Sequence, residues 1–292
     1  MHWLVTGCSS GLGLELARAI ASLPSQKLTA TSRNPSSTPD AVSEITSHPN
    51  ASWEPLDVSS PSFESQLSTI TSQHGTIDVL INNAAIAIGG AVENTPLSLI
   101  RTQYETNVFG LVRAIQAVLP SMRSSPSTES AIVNISSSTF WNPPPGISFY
   151  ASTKWAVEGL SAALAAELAP FHIRVLLAQP GGMDTKFASQ DKIPTHMVPL
   201  PEEYKGTPAE YVMQFVNNPE PKFSLSPEKA ARAIVEEVLR PTVVVGKDGE
   251  EPRKVLRLQL GKETVGNLKT AVKGYQEDGE AFEKKGLACD DD

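Results

Sequence analysis

Tyr150 and Lys154 carry the strongest chemical signal in the chain: a phenol and an ammonium four residues apart in Tyr150-Ala-Ser-Thr-Lys154. The surrounding run, Phe149–Glu167, has strong helix formers with apolar positions at helical spacing, so residues four apart share one face. A tyrosine ionises near pH ~10 and is a poor acid or base at neutrality. A cation held beside it favours the phenolate and lowers that value. The pair is then a usable proton donor and acceptor.

The second signal lies at the N-terminus. His2–Thr6 reads as a short apolar strand that enters Gly7-Cys8-Ser9-Ser10-Gly11-Leu12-Gly13 and then a helix over Leu14–Leu23. Strand, glycine-rich turn and helix make a phosphate cradle. The glycines let backbone approach a pyrophosphate, and free amides at the helix start face the anion. The spacing is G-x-x-x-G-x-G. One strand later, Lys27–Ser32 ends in Arg33 with no Asp or Glu beside it. A carboxylate there would take ribose hydroxyls, whereas a guanidinium pairs with a 2′-phosphate. The reading is NADP(H), with Ser9 as a second phosphate contact.

These residues need a scaffold, and strands alternate with helices throughout, the pattern of a parallel sheet covered on both faces. Strands are expected at His2–Thr6, Lys27–Ser32, Ser52–Leu56, Val79–Asn82, Ala131–Ser136, Arg174–Gln179 and Lys254–Leu260. Helices are expected at Leu14–Leu23, Phe63–His74, Leu97–Arg123, Phe149–Ala169 and Pro227–Leu239. The fold class is α/β, a doubly wound parallel seven-stranded sheet of the Rossmann type in a single domain.

The chain closely resembles the short-chain dehydrogenases/reductases, collinearly over Met1 to Gly261. The resemblance rests on Thr6-Gly7-Cys8-Ser9-Ser10-Gly11-Leu12-Gly13, Leu56-Asp57-Val58, Asn82-Asn83-Ala84, Thr106-Asn107-Val108-Phe109-Gly110 and Asn134-Ile135-Ser136-Ser137. It rests also on Tyr150-Ala-Ser-Thr-Lys154 and Pro180-Gly181-Gly182-Met183-Asp184-Thr185. Its nearest branch is the one that includes hydroxysteroid- and retinol-dehydrogenase-like proteins.

The resemblance implies a catalytic set of Asn107, Ser137, Tyr150 and Lys154. Ser137 is chosen over its neighbours because it stands thirteen residues before Tyr150, the family's usual interval. Asn107 is implied to hold a water near Lys154. Cofactor contacts implied are Gly7, Ser9, Ser10, Gly11, Leu12 and Gly13, with Arg33 at the phosphate. Asp57 and Val58 would meet the adenine, and Asn83 and Ala84 the adenosine ribose. Tyr150 and Lys154 would meet the nicotinamide ribose, and Met183 and Thr185 the carboxamide. The implied activity interconverts a ketone and a secondary alcohol on a small or medium lipophilic molecule. A non-redox isomerase, dehydratase or cyclase using the Tyr/Lys pair is the alternative, and a cofactor-sensing regulator a third.

Three positions depart from the family pattern: Ala85 where glycine is common, Asp184 where arginine is, and a stiff Asn142-Pro143-Pro144-Pro145 before Tyr150. Residues 1–261 are expected to form the catalytic unit. The proline- and aromatic-rich stretch 187–226 is expected to act as a substrate-binding lid within it, because a long irregular segment in a compact domain commonly covers a ligand. Thr242–Glu251 reads as a surface insertion, and residues 262–292 as a polar helix with an acidic tail.

Composition agrees with this reading. At 292 residues and 40% hydrophobic content the chain can bury a full core, and no apolar run approaches the ~20 residues of a membrane span. The net charge of −8 argues against a nucleic-acid partner. Two cysteines at opposite ends suggest no disulfide framework, and the five histidines show no metal-ligand spacing, so no metal is expected. A cytoplasmic homodimer or homotetramer, joined through the Leu97–Arg123 and Phe149–Ala169 helices as in the family, is the expected form.

Overall fold

Alternation of side chains along each strand decides how the layers assemble. In β1 (His2–Val5), Trp3 and Val5 point to one face and Leu4 to the other. In β4 (Val79–Asn82), Val79 and Ile81 join the first group and Leu80 the second. Both strands are buried on both faces, as parallel strands must be when helices cover each side.

The computed structural model describes residues 1–124, 130–183, 185, 197–217, 223–245 and 252–289. Between β1 and β4 lie β2 (Lys27–Ser32) and β3 (Ala51–Pro55); β5 (Ala131–Ile135) and β6 (Arg174–Pro180) follow. A small antiparallel pair, β7 (Val243–Val244) with β8 (Arg253–Lys254), precedes β9 (Arg257–Leu260). The main sheet runs β3-β2-β1-β4-β5-β6-β9, all parallel, with strand order reversing between β1 and β4. Ligands of such sheets bind at the carboxyl ends of the strands beside that reversal.

One face carries α1 (Gly11–Ala21), α2 (Pro39–Thr46) and α8 (Pro227–Leu239), packed through Leu16, Ile20 and Ile234. The other carries α3 (Phe63–His74), α5 (Gly110–Ser124) and α6 (Ser148–Leu168), through Leu67, Val118 and Leu164. Fully burying each such side chain contributes on the order of 1.5–3 kcal/mol.

Four local differences from the sequence reading have physical causes. The single helix expected over Leu97–Arg123 is α4 (Leu97–Tyr104), a wide π turn over Glu105–Phe109, and α5. Gly110 ends that turn against Val58, where a Cβ would approach to 2.9 Å. The last strand begins at Arg257, because Arg253–Lys254 turns back to pair with Val243–Val244; the expected insertion is therefore partly a hairpin, with 246–251 outside the described residues. Pro39 at the first turn starts an unforeseen α2. Within the stretch 187–226 expected as a lid, Pro208 does the same for α7 (Pro208–Asn217). Residues 187–196 and 218–222 of that stretch lie outside the described residues, as do Asp184, residue 186 and the acidic residues 290–292. The polar tail helix is α9 (Lys262–Leu287).

Candidate active site

The glycine turn is closed from behind by the residues after β4. Thr6 Oγ1 accepts from the backbone N–H of both Asn83 and Ala84 at 3.0 Å. Asn83 Nδ2 donates to the carbonyls of Thr6 at 2.9 Å and Gly7 at 3.1 Å. Both hydrogens of its amide are thus used to brace the loop, which places the expected ribose contact of Asn83 on its remaining atoms. Gly7 (φ 75) and Gly11 (φ 58) take left-handed conformations that side chains resist. A Cβ at Gly13 would lie 2.2 Å from the Gly7 carbonyl oxygen and 2.5 Å from Asn83 Nδ2. Ser10 caps α1 with extended backbone, and its hydroxyl makes no capping bond. The first-turn amides of α1 lack intrahelical partners. The glycines keep their own side chains off this turn, and its free amides at the start of α1 suit a dinucleotide pyrophosphate.

Arg33 follows β2 directly, exposed and without a partner among the described residues. Asp57 is turned inward on Ser59, accepting from its N–H at 3.0 Å and its hydroxyl at 2.7 Å. Val58 packs under Gly110, and its carbonyl accepts from Arg113 at 3.0 Å. Thr185 lies over Gly11, its Cβ 3.2 Å from where a Gly11 Cβ would be. Met183 bridges to Leu225. The loops after β1, β2, β3, β4 and β6 thus bring the expected cofactor residues to one edge of the sheet.

β5 ends at Ile135, and the three serines that follow diverge. Ser136 Oγ is buried without a partner among the described residues. Ser138 Oγ donates to Glu263 at 3.0 Å. Ser137 Oγ accepts from the Thr139 N–H at 3.2 Å and is hydrogen-bonded to the Tyr150 phenol. Accepting from Thr139 leaves its own hydrogen free for that phenol. Tyr150 stands in the first turn of α6, and the Lys154 ammonium lies 5.6 Å from its ring centre. Lys154 is 4% exposed and donates to the Ile135 carbonyl at 2.8 Å.

The electrostatics differ from the sequence expectation. Removal from water pushes the Tyr150 phenol up to about 12, with the Ser137 hydrogen bond opposing, and Lys154 is not among the causes. Lys154 is itself pushed down to about 8 by burial, while Glu158 holds it up. Removal from water is the largest influence on the phenol, even with the ammonium 5.6 Å from its ring centre.

Asn107 also departs from expectation. Its Oδ1 accepts from the Ile86 N–H at 2.8 Å, and its Nδ2 donates to the Ile86 carbonyl at 2.9 Å and to Thr153 Oγ1 at 3.1 Å. Both amide hydrogens are taken, so the side chain locks the β4 loop to α6. Any water beside it would meet the main chain of the π turn, where regular helical pairing is interrupted.

Two carboxylates escaped the sequence reading. Glu158, one turn beyond Lys154 and 1% exposed, accepts from Gln179 Nε2 at 2.7 Å and Arg257 Nε at 2.9 Å. Its position four residues after Lys154 was the available signal. Glu263, in the first turn of α9, accepts from Ser138 through Oε1 and from the Gly182 N–H through Oε2 at 3.0 Å. It ties the serine loop to the loop after β6, a contact between distant segments that no spacing announces.

Apolar groups close the same edge. Met197 and Met213 fill the space at Gly89, and Met213 also packs at Gly146 before Tyr150. The Phe223 ring covers Gly182, where a Cβ would come within 2.1 Å, and meets Phe215 edge-on at 5.4 Å.

A seven-stranded parallel sheet with a glycine cradle and a Ser-Tyr-Lys cluster at its carboxyl edge defines a nucleotide-binding oxidoreductase scaffold. The short chain dehydrogenase family model matches residues 1–194, and the chain belongs to that family. It is 39% identical over 191 residues to a 3-ketodihydrosphingosine reductase of Bacteroides thetaiotaomicron, a match spanning 65% of this chain and 66% of that protein. It is 33% identical over 216 residues to retinol dehydrogenase 8 of Homo sapiens, covering 73% of this chain and 67% of that one. A crystal structure of a short-chain dehydrogenase from Streptomyces avermitilis superposes with a TM-score of 0.81 at 30% identity, over 99% of each chain. The family fold is one that binds nicotinamide cofactors. No helix among the described residues is long and apolar enough to cross a membrane.

Proposed function

We propose that this chain is an NADP(H)-dependent oxidoreductase interconverting a ketone and a secondary alcohol on a small or medium lipophilic molecule. Residues 1–261 would form the catalytic unit, with the described part of 187–226 (197–217 and 223–226) covering the substrate and 262–292 a polar helix with an acidic tail. The observation that carries the reading is the Ser137 hydrogen bond to Tyr150, with Lys154 one turn behind, at the sheet edge that holds the glycine cradle.

The bound nicotinamide supplies or accepts the hydride at the substrate's carbonyl carbon. Everything else falls to side chains. As negative charge develops on the oxygen, the Tyr150 hydroxyl gives it a proton and the Ser137 hydroxyl gives it a hydrogen bond. Donors placed in advance are the largest single source of such stabilisation. A phenol at about 12 stays protonated at neutral pH, ready for the reducing direction. For oxidation it must lose that proton, which the Ser137 hydrogen bond eases against the cost of burial. Lys154, lowered to about 8 by burial, would hold the nicotinamide ribose through its ammonium while it stays charged.

Arg33 supports NADP(H): it stands unpaired where an acidic residue would select NAD(H). Met197, Met213 and Phe223 support a lipophilic substrate, since they set apolar side chains against Gly89, Gly146 and Gly182 in the loops that carry the site. The relatives named for 3-ketodihydrosphingosine and for retinol agree with that class.

The test follows cofactor absorbance against a panel of lipophilic ketones. Turnover with NADPH is expected, and Tyr150→Phe keeps NADPH binding while losing turnover by orders of magnitude. Arg33→Ala weakens NADPH far more than NADH. Product formed without net cofactor consumption would defeat the redox assignment, and equal losses for both cofactors would defeat the phosphate contact.

A further inference from the structure

The long C-terminal helix is anchored only at its start. Thr264 is fully buried against the Leu260 carbonyl. Beyond it the helix carries a repeat alternating by three and four: Leu268, Val272, Tyr275, Gly279, Phe282 and Gly286. Such a repeat keeps one apolar seam on one side of a helix and is the pattern of paired helices. Among the described residues Leu268 is half-buried and the seam beyond it is uncovered. Val272, Tyr275 and Phe282 are 50%, 53% and 59% exposed, and nothing lies within 4 Å of where a Cβ would be on Gly279 or Gly286. Glycine in an exposed helix weakens it; of the four open glycines in α9, Gly266 and Gly274 lie off the seam, while Gly279 and Gly286 lie on it and leave hollows on either side of Phe282.

We propose that α9 pairs in antiparallel fashion with α9 of a second copy of this chain. In the register that sets residues summing to 554 opposite one another, Tyr275 of one copy lies on Gly279 of the other. Leu268 lies on Gly286, and Val272 meets Phe282. Each large side chain meets a hollow or a ring, which is the complementarity that knobs-into-holes packing requires.

Charge fixes the direction. Lys269 and Glu283 flank the seam on the same side, and neither has a partner among the described residues, whereas the nearby Lys273–Glu277 pair is satisfied within the helix. Antiparallel pairing sets Lys269 of each copy against Glu283 of the other, two symmetric ion pairs; a parallel pairing would set like against like. Asp278 faces its own copy near the two-fold axis, a repulsion that salt relieves. A membrane surface suits this helix less well. Lys262, Lys269, Lys273, Lys284 and Lys285 balance Glu263, Glu277, Asp278, Glu280 and Glu283, so the segment has no excess of positive charge for anionic lipid.

The surface is independent of the α4–α5 and α6 faces expected from the family, and the inference does not rest on the proposed reaction. A seam this short predicts a dimer of modest strength, with dissociation at about 10–100 µM. Sedimentation velocity over a concentration series tests it on the full chain. With rising concentration the wild type should double the mass of whatever unit the α4–α5 and α6 faces form, and Tyr275→Glu or Phe282→Glu should abolish that doubling across the same range. Lys269→Glu and Glu283→Lys should each weaken the dimer at least fivefold, and the two together should restore it. Circular dichroism checks that α9 stays helical in each variant. A wild type whose mass does not rise with concentration up to 200 µM (roughly twice the expected upper constant) overturns the proposal. So does a concentration-dependent doubling that ignores both glutamate variants, which would place the added contact on another face, or a charge exchange that fails to rescue. Monomer that instead co-sediments with phosphatidylcholine–phosphatidylserine vesicles would overturn it in favour of lipid.

Discussion

Glu158→Gln offers the sharpest test of how the Tyr150–Lys154 pair is tuned. Lys154 is held at about 8, with burial lowering it and Glu158 raising it. A carboxylate and an ammonium one helical turn apart, roughly 6 Å, attract by about 3 kcal/mol at an effective dielectric near 20. That equals about two pKa units. Arg257 shares the same carboxylate at 2.9 Å and offsets part of it, leaving about one unit for Lys154. The sign is fixed: removing the negative charge makes the buried cation harder to form, so its pKa falls further. Glutamine keeps the shape but turns one acceptor into a donor facing Gln179 or Arg257, at a stability cost of about 1–3 kcal/mol. The assay is kcat/KM for ketone reduction against pH, with melting curves to confirm folding. The wild type should lose activity as pH rises through about 8, and the variant should lose it about one unit lower. An alkaline limb that stays in place in a folded Glu158→Gln protein refutes the electrostatic role. So does a wild type with no limb in that range, because Lys154 would then not be the titrating group.

Other consequences are quicker to check. Gly13→Ala forces a methyl to within 2.2 Å of the Gly7 carbonyl; NADPH affinity measured by fluorescence should fall at least tenfold with modest loss of stability. Ser137→Ala should cost about 10²–10³ in kcat, as for one oxyanion donor, whereas Ser136→Ala should cost little. A larger loss at Ser136 would mean that the wrong serine faces the substrate. His2, buried between the Thr76 carbonyl and Thr29, is pushed down to about 4, mainly by removal from water. Its folded form binds a proton less readily than its unfolded form. Its contribution is therefore complete above pH ~6.5 and lost as pH falls from there toward 4, and amounts to at most about 3 kcal/mol. Urea unfolding at pH 7 and 4.5 should show a smaller pH dependence in His2→Asn than in the wild type.

The residues proposed to do chemistry were legible because they sit close together in sequence. Gly7 to Gly13 make their cradle from one turn, and Tyr150 and Lys154 share one face by helical geometry alone. The sheet was legible too, since apolar runs such as Val79–Asn82 are buried on both sides. Breaks in regularity were less so. Nothing local to Leu97–Arg123 announces the π turn, which depends on Asn107 bonding the Ile86 main chain and on Gly110 pressing on Val58. In the same way Arg253–Lys254 leaves the expected last strand only because Val243–Val244 lies alongside to pair with it.

What the chain determines by itself is which chemical groups recur at which intervals, and hence the family, the sheet and the acid–base pair. Tertiary structure decided how those groups are charged and held. Tyr150 is raised by lost hydration, not lowered by Lys154. Lys154 answers to Glu158, which reaches across to β6 and β9 through Gln179 and Arg257. Glu263 joins the serine loop to Gly182 from the far end of the chain. Burial and long-range contact exist only once distant segments are packed together, so local spacing carries the chemistry and the fold sets its strength.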